Sequence, residues 1–289
     1  MVLASLLFAG MGVCVKLASA HYGTGEIVCY RGITGAVLIA AVARWQGGDL
    51  RTPVPAMHFW RSLTGVSALC LWFYAIGKLP LATAVTLNYT SSLWMALFLM
   101  GGATMLGAAR VDGRLVATVL LGFAGVALIL RPTIEQDQLW YGLVGLLSGM
   151  LAATAYLQVT ALGRAGEPDY RVVFYFSLGS IVAGALITFW SGWQAHTLQG
   201  LGLLLSVGLF ATAAQLLMTR AYGIGRPLAN ASLQYLGIAF SFVFGVLLFD
   251  DRVTWMALAG MCLIVCAGVA ATLLSRAVTA AAGHPPTET

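Results

Sequence analysis

Apolar stretches of about 17–23 residues, the length that crosses a bilayer core as helix, recur along the whole chain between short charged islands. Ten are predicted to span: 2–20, 27–44, 59–76, 82–103, 115–130, 140–162, 172–190, 201–222, 228–249 and 254–274, the fifth being short. Backbone groups facing lipid have no water to bond, so every span is expected to be helical. The predicted fold class is an all-α integral membrane protein.

The pattern is written twice. Tyr74-Ala75-Ile76-Gly77-Lys78-Leu79-Pro80-Leu81-Ala82-Thr83-Ala84 is echoed by Tyr222-Gly223-Ile224-Gly225-Arg226-Pro227-Leu228-Ala229-Asn230-Ala231. Ala124-Gly125-Val126-Ala127 returns as Ala267-Gly268-Val269-Ala270, and Ala9-Gly10-Met11 is answered by Ser148-Gly149-Met150. The chain therefore divides into repeats 1–132 and 139–275, joined by a loop at 133–138 and followed by an expected disordered tail at 276–289. Each repeat holds five spans. An odd-spanned unit repeated in tandem enters the membrane upside down relative to its twin, the architecture of alternating-access transport with solute bound between the halves.

Composition agrees with this picture: 60% hydrophobic and 9% charged residues, with a mean hydropathy of +0.89, exclude a soluble globular domain. Met1 leads straight into the first span without a charged n-region or small-residue cleavage site, so a cleaved signal peptide is not expected. The net charge of +5 invites a nucleic-acid partner, but its distribution reads as topology. With the N-terminus inside, Arg44, Arg51, Arg61, Arg110, Arg114, Arg164, Arg171, Arg220, Arg226 and Arg276 fall on the cytoplasmic side, against Lys78, Arg131 and Arg252 outside. That bias satisfies the positive-inside rule with both termini cytoplasmic. The expected partners are a small-molecule substrate and the lipid of a bacterial inner membrane, with no nucleic acid and no obligate protein partner.

The spans lack what catalysis or ion coupling would need. All ten acidic residues and all four histidines lie in loops, at span edges or in the tail, whereas proton relays and cation sites use such groups at mid-depth. An enzyme is not expected, nor a cofactor. Cys262 and Cys266 are one helical turn apart, yet no His or acid joins them, so buried free thiols are expected rather than a metal site. The eight prolines avoid span interiors, leaving glycines to bend the helices or to pack them closely.

Candidate binding residues are the polar and aromatic side chains inside spans. Trp72 and Tyr74 come from span three, Asn88, Tyr89 and Trp94 from span four, Gln158 from span six, Tyr175 from span seven, Gln215 from span eight, and Gln234 and Tyr235 from span nine. In span nine Asn230, Gln234, Gly237 and Ser241 share one helical stripe, which maps onto Thr83, Leu87, Thr90 and Trp94 of span four. Such a stripe suits either a solvated cavity or interhelical hydrogen-bonding glue. Lys16 and Arg31 lie inside spans one and two, each roughly 7 Å from the midplane at 1.5 Å per residue. They form either a cationic patch for an anionic group, or a snorkelling lysine beside an arginine that bonds carbonyls or Glu26.

At the repeated Tyr-x-Ile-Gly-[Lys/Arg] segment with its following Pro-Leu-Ala-x-Ala, the chain resembles the drug/metabolite transporter superfamily, EamA type. Tyr30-Arg31, Gly122…Gly125 and Gly260…Gly268 agree with it. The resemblance implies a ten-span cytoplasmic-membrane carrier whose cavity is lined mainly by spans 1–4 and 6–9. The aromatic-rich spans three and four are similar to the YddG-like amino-acid exporter branch, which implies export of amino acids, aromatic ones included. Many members carry a proline midway along spans four and nine, where this chain has Ser91-Ser92 and Gly237. Many also end those spans in Leu-Gly-Glu, where this chain has Leu106-Gly107-Ala108 and Phe249-Asp250-Asp251. With no titratable group at mid-depth, facilitated diffusion is the expected mode; a carrier of anionic metabolites is the rival, and would need several basic residues converging in the cavity.

The topology is testable. Single cysteines replacing Gln136 and Gln194 in a cysteine-free background should react with an impermeant thiol reagent in whole cells, and one replacing Asp49 should not. The reverse labelling pattern would refute the orientation.

Overall fold

The computed structural model describes residues 1–105, 114, 117–118, 120–122, 124–128, 138–224, 230, 233–251 and 254–282. Among these residues the chain is helical, without strands. The helices are α1 (Val2–Ala18), α2 (Thr24–Trp45), α3 (Pro55–Ile76), α4 (Leu81–Tyr89), α5 (Ser91–Met105), α6 (Leu139–Arg164), α7 (Asp169–Ser191), α8 (Leu198–Gly223), α9 (Leu236–Phe249) and α10 (Trp255–Ala282). Of these, α2, α6, α7 and α8 are each long and apolar enough to cross a membrane, whereas α1, α9 and Trp255–Ala267 are shorter apolar helices. Part of the predicted fifth span, the loop after it and residues 283–289 lie outside the described residues. Helix α10 runs on to Ala282, past the predicted limit at 274 and into the stretch expected to be tail.

The predicted fourth span is two helices, α4 and α5, separated at Thr90. No proline or glycine stands there. Instead the Thr90 hydroxyl donates to the Leu87 carbonyl at 2.6 Å and the Ser92 hydroxyl to the Tyr89 carbonyl at 3.3 Å. Hydroxyls that bond the preceding turn compete with the helix ladder and bend it. Near the matching place in the second half the helix is interrupted at Tyr235, just before α9.

Packing crosses between the halves. Helix α2 lies mainly against α7, α3 against α6, and α1 against α8. The α2–α7 contact is close because glycines line it. A Cβ on Gly184 would stand 2.5 Å from Cys29 N and 2.6 Å from Gly25 O, and one on Gly32 2.7 Å from Ser177 O. Gly25, near the start of α2, lies against Ile187 and Thr188 near the end of α7, so the two helices run antiparallel. Helix α6 meets α4 in the same way, with Gly149 against the Leu87 carbonyl and the Thr90 hydroxyl.

Ion pairs and hydrogen bonds fasten the two ends, about 33 Å apart along α2 at 1.5 Å per residue. At one end Glu26, fully buried, accepts from the Gln194 backbone N–H at 3.4 Å and pairs with His196 at 3.1 Å. Lys16 at the same end donates to both carboxylate oxygens of Asp251, at 2.7 and 2.8 Å. Asp251 also accepts the Leu81 N–H at 2.8 Å, so one carboxylate caps α4 and neutralises a lysine of α1. Its position is set by the end of α9. Asp250 adopts a left-handed conformation at φ 54°, and the Asp251 N–H bonds back to the Gly245 carbonyl at 3.1 Å, closing the helix end. At the other end buried His58 and Glu167 lie 2.9 Å apart, and Arg171 reaches Glu167 at 3.1 Å. There Arg171 and Tyr170 also donate to the Asp49 carbonyl, tying the α2–α3 loop to the start of α7.

The glycine seam carries a stability prediction. Gly184→Leu should lower the melting temperature in detergent through a clash worth roughly 1–3 kcal/mol. Gly202→Leu, where an added Cβ meets nothing within 4 Å, should leave it within about 0.5 kcal/mol of wild type. Equal effects of the two would show that the seam is not tight.

Candidate functional site

A cavity opens between seven helices. Its lining comes from Phe8 on α1, Arg31 on α2, Arg61, Gly65, Ala68, Leu69 and Trp72 on α3, and Asn88 and Tyr89 on α4. Ala152, Ala155 and Tyr156 on α6, Phe176 on α7, and Gln215 and Met218 on α8 close it. Its free volume is about 50 Å³, room for a few waters, so a larger solute would have to spread the lining helices.

The polar groups are ordered by neutral partners. Arg31 donates to Gln215 Oε1 at 3.2 Å and to Ser180 Oγ at 3.4 Å. Asn88 Nδ2 donates to Ser148 Oγ at 3.0 Å, which in turn donates to the Gly145 carbonyl at 2.6 Å. Arg61 lies across Gly65, one turn further along α3, in space that a side chain there would fill. Both guanidinium groups pack over the Phe176 ring, Arg31 at 5.0 Å and Arg61 at 4.3 Å from its centroid. Beside them, Trp72 meets Phe8 edge-on with ring centroids 6.4 Å apart, and Tyr156 stacks on Tyr222 at 4.9 Å.

Of the residues predicted from sequence, the structure brings Arg31, Trp72, Asn88, Tyr89 and Gln215 together on this wall. The others lie elsewhere. Lys16 is spoken for by Asp251, a partner 235 positions away in sequence. Trp94 stacks on Phe98 along α5, and Tyr74 packs on Tyr141. Gln158 accepts the Thr64 hydroxyl at 2.7 Å, joining α6 to α3, and Tyr175 covers His58 with ring centroids 4.5 Å apart. Gln234 bonds Tyr156, while the Tyr235 hydroxyl bonds Ser92 behind Tyr89. Each of these six joins neighbouring side chains and contributes nothing to the lining of the cavity. Arg61, assigned by sequence to the cytoplasmic charge set, is 2% exposed and lines the cavity. Its signal was its place: seven residues into α3, too deep for a loop charge.

The His58–Glu167–Arg171 cluster sets the charge at its end of the bundle. Burial by itself would raise the Glu167 carboxyl, but the hydrogen bond from His58, the Arg171 charge and a hydrogen bond from Thr52 outweigh it and hold the group below its ordinary 4.5.

Comparison with known proteins follows the same lines. A model of the EamA-like transporter family matches residues 1–131 and again 139–273. The chain is 34% identical to the pseudopaline exporter CntI of Pseudomonas aeruginosa strain UCBPP-PA14, over 93% of each chain. It is 26% identical to an uncharacterized transporter of Helicobacter pylori strain J99, over 92% of this chain and 91% of that one. A crystal structure 20% identical in sequence superposes with a TM-score of 0.62, covering 96% of this chain and 98% of the other, a likeness of fold.

The depressed Glu167 carboxyl gives a pH prediction with a definite sign. A carboxyl held below its ordinary value contributes stability above about pH 4.5, lost as pH falls through the native value. Glu167→Gln should destabilise the protein at pH 7 by on the order of 1–3 kcal/mol, read as melting temperature in detergent. The gap between variant and wild type should close as pH drops below 4.5; a gap constant with pH would show that Glu167 does not act through its charge.

Proposed function

Because the chain belongs to the EamA-like transporter family, we propose that it is an alternating-access carrier of a bacterial inner membrane. In this reading it exports small amphipathic metabolites, amino acids including aromatic ones among them. The observation that carries the proposal is the cavity, lined by helices of both halves and combining aromatic faces with a few oriented polar groups, as small-solute sites do. The resemblance to a pseudopaline exporter supports the export direction.

The same reading takes the chain as ten spans in two inverted repeats with both termini cytoplasmic. Two features support it. The family model matches each half separately, and the helix pairing α3–α6 has its counterpart in α8–α1. In that orientation the His58–Glu167 end faces the cytoplasm and the Glu26–His196 end faces outward. A second reading, a carrier for anionic metabolites, is favoured by one observation: Arg61 joins Arg31 in the cavity.

Transport should be facilitated diffusion, since among the described residues the cavity lining holds no carboxylate or histidine to titrate. In proteoliposomes flux should follow the solute gradient and ignore an imposed pH or Na⁺ gradient; accumulation driven by a pH gradient would overturn this. Trp72→Ala and Tyr89→Ala should change the ratio of aromatic to small amino-acid flux several-fold. Trp94→Ala, away from the cavity, should scale all fluxes together.

A further inference from the structure

Two positive charges share the cavity wall with nothing negative to meet them. Arg31 is 3% and Arg61 2% exposed. No aspartate or glutamate lines the cavity among the described residues. The buried carboxylates are committed elsewhere: Glu26 to His196, Glu167 to His58 and Arg171. Partly exposed Asp251 is held by Lys16. Arg31 has only the neutral partners Gln215 and Ser180. Arg31 Nε, Arg61 Nε and Arg61 Nη1 are buried donors with no acceptor.

An isolated charge inside a membrane bundle is among the most expensive groups a protein can hold. Its presence twice, on two helices and against one aromatic ring, needs a compensating anion. A guanidinium edge is a planar fork that matches a carboxylate in a bidentate pair. Arg61 has two unfilled nitrogens and Arg31 one, on separate helices, so two separated carboxylates fit the pair better than one compact anion. The Phe176 ring over which both lie, with Trp72 and Tyr89 beside it, supplies an apolar bed for the carbon chain between them.

We infer that Arg31 and Arg61 form a two-point anion clamp, and that the solute is a small metabolite carrying two carboxylates. This rests on the second reading above, a carrier of anionic metabolites, and narrows its substrate class to dicarboxylates. With no acid in the lining, an ammonium group on the solute is not paired by the protein. The amine is therefore dispensable and the second carboxylate is not.

The test uses purified full-length protein in lipid nanodiscs, with melting temperature and tryptophan fluorescence as binding readouts. Probes are glutarate, L-glutamate, L-glutamine and inorganic phosphate. Glutarate and glutamate should stabilise the protein, with apparent affinity at least about tenfold above glutamine, because the neutral amide leaves one buried guanidinium without a counter-charge. Arg61→Met and Arg31→Met should each raise the ligand-free melting temperature, by removing an unpaired buried charge. Each should also abolish the shift produced by glutarate. A merely structural arginine would lower the ligand-free melting temperature instead, which would overturn the clamp. So would wild-type protein that binds glutamine as well as glutamate, or that responds to phosphate alone. If a variant does not fold, the wild-type ranking of glutamate over glutamine still decides. Flux in proteoliposomes separates the two claims. Binding preference without flux of any probe would defeat the transport reading and leave the clamp standing; flux without a dicarboxylate preference would do the opposite.

Discussion

Inside a bilayer the hydrophobic effect does not press helices together, since lipid tails are as apolar as leucine. Close packing must do that work, and here it depends on the contact of α2 with α7. Glycines at 25, 32 and 184 remove the side chains that would hold the two backbones apart. The two antiparallel helices bring Arg31 and Phe176 face to face. Helix α3, packed against α7 as well as α6, then delivers Arg61 to the same ring. The cavity is a by-product of this frame.

The frame also sorts charge by depth. At the ends of the bundle the buried acids among the described residues find basic partners, Glu26 in His196 and Glu167 in His58 and Arg171. In the middle the basic groups have only amides, hydroxyls and ring faces. The first arrangement stabilises the fold and the second taxes it. Groups that cost stability without serving packing are the ones to expect at a functional centre.

Much of this was legible in the sequence. Arg31, Trp72, Asn88, Tyr89 and Gln215 stood out because polar and aromatic groups are conspicuous in apolar helices, and all five share the cavity. The same logic could not tell which neighbour each side chain faces. Gln158, Tyr175 and Tyr235 have the same chemistry, but they meet Thr64, His58 and Ser92 across helix contacts. Lys16 looked like a cavity charge because its partner, Asp251, is remote in sequence and lies in a loop. Arg61 was read only as a topology signal, and not as a cavity residue, because two residues separated it from a predicted span edge. The break at Thr90 went unread because it is made by hydroxyls. Thr90, Ser91 and Ser92 in succession were the available sign.

The Asp251 carboxylate has a consequence for the balance between the two faces. Each end of the bundle has a carboxylate–histidine contact; the Glu26 end adds the bidentate Lys16–Asp251 pair, anchored in turn to the first turn of α4, and the His58 end adds Arg171, which pairs with Glu167 and donates to the Asp49 carbonyl. The corresponding tripeptide of the first half reads Leu106-Gly107-Ala108, with no acid to offer. Two halves that echo each other in sequence are thus fastened unequally. At the Glu26 end the added pair joins two charged side chains, Lys16 of the first half and Asp251 of the second; at the His58 end the added link across the halves runs from Arg171 to a backbone carbonyl. Salt would therefore screen the added link at the Lys16 face, between two full charges, more than the one at the His58 face, between a charge and a dipole.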